Sequence, residues 1–172
     1  NCIMVTIPKD TMDLIMKEQM IIISSVDERG IPNTSPRTAF TLKDGNLYWI
    51  ELFEHKSMKN FKNDSWISVS TFNKDNLEGY QLKGKIKIVD DITIRKSITF
   101  RIMYNLTGHH RARILSCIGA GVPRIIKFEP KIAYNSAPVD SADVPIVVDA
   151  DEEISMLSGG PNMETKFGFQ IY

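Results

Sequence analysis

Apolar residues change their spacing several times along the chain, and each change marks an element. After Pro8, which suits the first turn of a helix, Met12, Ile15, Met16 and Met20 recur at helical intervals, so a short amphipathic helix is expected from about Lys9 to Glu18 with its Met stripe packed on the core. The β-branched run Met20–Val26 reads as a buried strand closed by the turn Asp27-Glu28-Arg29-Gly30. Pro32 limits where the next strand begins. Residues Asn33 to Leu42 are strand-compatible, Asp44-Gly45 favours a tight hairpin, and Leu47 to Leu52 forms the return strand. A further strand follows from Ser65 to Phe72.

The second half alternates more cleanly. In Gly79–Val89, Tyr80, Leu82, Ile86 and Ile88 share one parity once Gly84 is accepted as a close-packed or bulged position, which describes a strand with one wet face. Asp91 is a candidate cap for a helix carrying Ile94, Ile98 and Ile102, and Gly108 to Ile118 reads as another helix before Pro123. Arg124–Phe128 and Lys131–Tyr134 resemble two short strands interrupted at Pro130. Beyond Ser136 come Pro138, Pro145, an acidic run at 149–153 and Gly159-Gly160-Pro161, the pattern of an extended arm. Its apolar tip, Phe167, Phe169 and Tyr172, is expected to dock on this subunit or on a partner. The pattern is mainly β (α+β by count), an antiparallel barrel or sandwich with peripheral helices.

Composition narrows the partners. With 172 residues, 42% of them hydrophobic, one compact domain can bury a substantial core. Twenty-one basic residues balance 21 acidic ones, so nothing in the overall charge points to nucleic acid or an anionic membrane, and recognition should be local. Cys2 and Cys117 match neither a disulfide framework nor a metal-ligand spacing, which makes a reducing cytoplasm the default. No apolar run approaches the roughly 18 residues that a membrane span needs.

The chemistry concentrates in His55-Lys56-Ser57-Met58-Lys59-Asn60-Phe61. Three groups able to carry positive charge and a hydroxyl stand at a strand-to-helix junction, where a phosphate dianion can meet side-chain charge, backbone N–H groups and the positive end of a helix together. The competing reading is a solvated helix face. His109-His110 with Arg111 and Arg113 is a second polar constellation, but adjacent helical residues point about 100° apart and do not readily chelate one ion, so a solvent-facing helix start is the simpler account. Metallohydrolase, serine-hydrolase and dinucleotide fingerprints are missing from the sequence.

Taken in order, Ser25 to Arg37, Asp44-Gly45-Asn46-Leu47-Tyr48-Trp49, Lys56-Ser57-Met58-Lys59-Asn60-Phe61 and Gly79-Tyr80-Gln81-Leu82-Lys83-Gly84 resemble the FMN-binding split β-barrel family, the pyridoxamine 5′-phosphate oxidase-like proteins. The resemblance implies an antiparallel split β-barrel over residues 1–135, with 136–172 as the arm, and a homodimer that binds FMN at the subunit interface. By position, Arg37 is the strand arginine near the flavin phosphate. Lys56 and Ser57 fall on the paired phosphate ligands, with His55 and Lys59 bordering them. Trp49, Ile50 and Glu51 occupy the stretch whose backbone runs beside the flavin ring, and Gln81 lies on a strand that supplies a polar contact. Ser57 stands where lysine is commoner, and Glu51 where a small hydroxyl residue is usual. The implied function is an FMN-dependent oxidoreductase acting on a small molecule, reduced nicotinamide or deazaflavin. True pyridoxine phosphate oxidation is disfavoured, because Lys166–Tyr172 lacks the Arg and His pattern of those enzymes. The alternatives are a non-catalytic store of flavin or haem and a cofactor-free module.

Overall fold

The computed structural model describes residues 5–52, 59–62, 65–119, 122–138 and 144–149. Helix α1 (Lys9–Glu18) starts behind Pro8 and ends at Gln19, whose left-handed backbone (φ 55°) lets its N–H reach the Ile15 carbonyl at 3.1 Å. Its buried face is Thr11, Leu14 and Ile15. The expected Met stripe is therefore corrected: Met12 packs at the edge of the core, whereas Met16 and Met20 are each 42% exposed. The helix is rotated so that the β-branched and γ-branched residues, not the methionines, fill the space above the sheet.

Strand β1 (Ile21–Val26) alternates buried and half-buried positions, so only one of its faces enters the core. The turn after it is held by Asp27, whose Oδ1 accepts from the backbone N–H of Arg29 and Ile31, each at 2.9 Å. The region 33–42 is two strands rather than one. β2 (Pro32–Arg37) pairs with β1, β3 (Phe40–Lys43) pairs with β4 (Asn46–Glu51), and Thr38-Ala39 carries the chain between them. Asp44 and Gly45 close the β3–β4 hairpin with φ of 51° and 73°, the doubly positive turn that an Asp-Gly pair favours. β5 (Trp66–Phe72) and β6 (Gly79–Ile88) follow as a long antiparallel pair.

Helix α2 (Ile92–Asn105) is capped by Asp91, whose carboxylate accepts from Thr93 and Ile94 N–H at 2.8 and 2.9 Å. Ile98, Ile102 and Met103 are its buried residues, while Ile94 faces solvent. Helix α3 (Gly108–Ile118) has no fully buried residue, although Ile114 and Ile118 lean on the second core. The expected break at Pro130 does not occur: β7 (Arg124–Asn135) is continuous. Its pairing with β6 shifts between Lys83 and Gly84, and Pro130 falls opposite that irregularity. On the other side of β7, β4 pairs as far as Phe128 and β8 (Pro145–Val148) pairs from Ile132, so Pro130 also lies in the gap between two neighbours. β8 lies inside the segment read as an arm. The apolar tip at 167–172 lies outside the described residues.

The strands form one antiparallel sheet in the order β2-β1-β5-β6-β7-β4-β3, with β8 added to β7. It is a split barrel. The inner face of the sheet joins α1 around Ile15, Ile21, Ile23, Leu47, Trp49, Val69, Leu82, Ile86, Ile126 and Phe128. Across β4 and β7 the opposite face forms a second core with α2, from Tyr48, Ile50, Ile98, Ile102 and Ile125. Gly84 is both close-packed and bulged: a Cβ there would overlap the Glu129 carbonyl oxygen and lie 2.8 Å from the Phe128 ring.

Candidate functional site

Leu47 and Trp49 point into the barrel, and strand alternation sends Glu51 the same way. A carboxylate in that position requires a cationic or hydrogen-bonded partner. It has both. Glu51 Oε1 accepts from Arg37 Nε at 3.0 Å, from Arg37 Nη2 at 2.9 Å and from the Trp49 indole Nε1 at 2.8 Å. Arg37 Nη1 donates to Ser35 Oγ and to the Pro36 carbonyl, each at 2.9 Å. The pair is largely withdrawn from water, with side-chain exposures of 17% for Arg37 and 5% for Glu51. Four of the five guanidinium N–H groups are thus engaged among the described residues, and the Arg37 charge is balanced locally.

Above the ion pair lies a pocket of about 220 Å³ lined by Pro36, Arg37, Thr38, Ala39, Ile50, Glu51, Leu52 and, from α3, Ile114. It is an apolar hollow with one polar end. That volume is below the ~300–1,000 Å³ usual for a pocket that encloses a cofactor-sized ligand.

Of the residues singled out in the sequence, Arg37 and Glu51 meet directly, and Ile50 lines the same pocket. The Ile50 N–H is engaged by the Ala39 carbonyl at 3.0 Å, which fixes the crossing from β2 to β3 beside the pocket. The Trp49 side chain is fully buried and meets the Phe61 ring edge-on at 6.0 Å, so its ring belongs to the core. Lys59 borders a different cleft of about 600 Å³, with Asp27, Arg29, Asn33, Asn60 and Lys62 among its walls. There Asn60 Nδ2 donates to Ser25 Oγ at 3.1 Å and ties the end of the basic segment to β1. The Asp27 carboxyl beside it is held below the ordinary aspartate range, chiefly by the Ile31 N–H, against the effect of burial. His55, Lys56 and Ser57 lie outside the described residues.

Gln81 is on the other face of the sheet. Arg37 pairs with core-facing Ile21, whereas Pro36, Ile22, Ser70, Gln81 and Tyr134 form one row across the strands with their side chains directed outward. Within one chain Gln81 and Arg37 are therefore not brought together. The outward face also carries exposed Val26, Trp66 and Phe72, with Lys85 lying 4.3 Å over the Trp66 ring. His109 and His110 are exposed at the start of α3.

The resemblance marks Glu51 only as a departure from a small hydroxyl residue, and its pairing with Arg37 is not part of that expectation. The signal was present in the parity of 47, 49 and 51. Ile114 was not recognised either, because its pocket exists only once α3 lies across the ends of β2 and β4.

A family model described as pyridoxamine 5′-phosphate oxidase matches residues 7–129. The chain belongs to that family. Comparison with curated proteins gives no match. Among solved structures, HupZ of group A Streptococcus is 18% identical with a TM-score of 0.61, covering 80% of this chain and 99% of that one. HutZ, the heme storage protein from Vibrio cholerae, is 8% identical with a TM-score of 0.58, covering 77% and 97%. An F420 reductase is 17% identical with a TM-score of 0.53, covering 74% and 98%. At these identities the likeness is one of fold. Among the described residues of this family member no helix is long and apolar enough to cross a membrane.

Proposed function

We propose that this protein is an FMN-binding flavoprotein, a homodimer with the cofactor at the subunit interface, and that it supports oxidoreduction of a small molecule, a reduced nicotinamide or a deazaflavin. The observation that carries the reading is the pocket at the ends of β2 and β4, because its polar end, the Arg37–Glu51 pair, stands only a few residues before His55-Lys56-Ser57. In the sequence Lys56 follows Glu51 by five residues, a length of chain that spans at most about 18 Å.

The described residues fit the uncharged part of a flavin: Pro36, Ala39, Ile50, Leu52 and Ile114 supply apolar wall, and the ion pair at the end adds no net charge. The phosphate draws its charge from Lys56, with Ser57 and His55 as further donors. Bound flavin would supply the redox chemistry. The protein's part is to hold the ring, to keep water from the buried wall and to fix β4 through the Glu51 hydrogen bonds. The outward face with Ile22, Ser70, Gln81, Trp66 and Phe72 offers a second copy a surface of mixed apolar and small polar character. A Gln81 contact then belongs to the partner's half of the site.

The deciding experiment is a visible spectrum of the purified protein before and after titration with FMN, with the mass of any released ligand. A saturable flavin spectrum, bleached by a reduced nicotinamide or deazaflavin, supports the assignment. A Soret band with no flavin uptake would replace it with haem binding, and no uptake of either would leave a cofactor-free module. Lys56→Ala should weaken FMN by about 10–100-fold, the worth of one hydrogen bond between charged groups, while riboflavin affinity stays near wild type.

A further inference from the structure

Glu51 places a fixed carboxylate on the guanidinium that would otherwise receive a ligand anion. Two of the three hydrogen bonds to its Oε1 come from Arg37, and the third, from Trp49, anchors the carboxylate to a fully buried ring so that it cannot swing aside without stranding an indole N–H. Ser35 Oγ and the Pro36 carbonyl hold the other arm of the guanidinium. Arg37 is therefore clamped from three sides, and among the described residues one N–H, on Nη2, is left to turn outward. An arginine that recognises phosphate does so through a parallel pair of N–H groups and an uncompensated charge. Arg37 has neither free.

From this we infer that Glu51 is a specificity-determining residue: it converts Arg37 from a phosphate ligand into a positioning residue that ties the end of β2 to β4. The inference rests on the flavin reading above and refines it. Its consequence is a pocket that selects for the flavin ring more than for the phosphate, with less discrimination between FMN and riboflavin than an unclamped arginine would give.

The test compares dissociation constants for FMN and riboflavin in the wild type, Glu51→Gln, Arg37→Gln and the double variant. Glutamine keeps an acceptor for Trp49 but removes the charge. The ratio of riboflavin to FMN dissociation constants should rise about tenfold or more in Glu51→Gln, as expected for one gained charge-assisted bond. It should change less than about threefold in Arg37→Gln, well under the value of one such bond, and the double variant should lose the gain. An unchanged ratio in Glu51→Gln, or a collapse of the ratio in Arg37→Gln, overturns the inference. A wild type that binds neither flavin defeats the functional reading instead, and the inference is then decided by NMR of the Arg37 Nε–H signal during titration with inorganic phosphate. That signal should stay unmoved in the wild type, and saturable movement there sinks the proposal without recourse to any variant. In Glu51→Gln it should shift saturably.

Discussion

Replacing Glu51 by alanine is the most direct perturbation of the site, and its cost follows from three hydrogen bonds. Oε1 accepts from Trp49 Nε1 at 2.8 Å and from Arg37 Nε and Nη2 at 3.0 and 2.9 Å. Removing one member of a buried ion pair typically costs about 3–5 kcal/mol because the other charge is left uncompensated. A stranded buried N–H adds about 1–3 kcal/mol when it stands alone. These terms overlap and do not simply add. Arg37 retains its bonds to Ser35 and Pro36 and is 17% exposed, so water recovers part of its solvation, whereas Trp49 has no exposure and recovers none. We expect Glu51→Ala to lower the unfolding free energy by about 3 kcal/mol. Glu51→Gln, which keeps an acceptor for the indole, should lower it by about 1–2 kcal/mol. A double change of Arg37 to methionine and Glu51 to leucine should be less damaging than Glu51→Ala, since it removes both charges at once. Urea unfolding at a fixed protein concentration measures all three, with an unchanged denaturant slope confirming that the midpoints report stability. If Glu51→Ala lies within about 0.5 kcal/mol of the wild type, the ordinary range for surface changes, the pair is not buried as described.

Three further outcomes test the frame around the site. Gly84→Ala should cost about 1–3 kcal/mol or more in the same assay, because the new methyl group meets the Glu129 carbonyl and the Phe128 ring and neither can move freely inside the sheet. Asp91→Ala removes the acceptor for Thr93 and Ile94 N–H and should cost about 1 kcal/mol, with Asp91→Asn close to neutral. Burial tends to raise the Glu129 carboxyl pKa, but hydrogen bonds and charge from Lys127 and Lys87 outweigh it and hold the group below its ordinary value. A carboxyl depressed in the folded state contributes stability that is present above its unfolded pKa and lost as pH falls through its folded one. Stability measured across that acidic window should therefore drop less steeply in Lys127→Met than in the wild type, and an identical slope would show that the lysines do not set the titration.

Local patterns were enough to place most of the elements in this chain. The Asp-Gly hairpin, the Asp91 cap and the parity of β6 depend on turn chemistry and periodicity within a few residues, and all three stand where those signals put them. The orientation of α1 was not legible, because Met and Leu are both acceptable on a core face and only the packing over β5 and β6 chooses between them. The continuity of β7 through Pro130 was hidden for a similar reason: proline breaks a strand only where its missing N–H is needed, and here it lies at the β6–β7 register shift and in the gap between β4 and β8.

The candidate site divides along the same line. The amino-acid sequence determined by itself that a basic, hydroxyl-bearing segment follows a hairpin strand, that Arg37 lies in the strand-compatible stretch after the Asp27–Gly30 turn, and that the order of these pieces is that of one family. Tertiary structure alone decided that Arg37 and Glu51, fourteen residues apart along the chain, share an ion pair, and that Gln81 faces away from them. Pairing across a sheet turns side chains towards one face or the other and brings distant charges within reach. Whether a given arginine is free to bind an anion depends on that neighbour, which no local pattern contains.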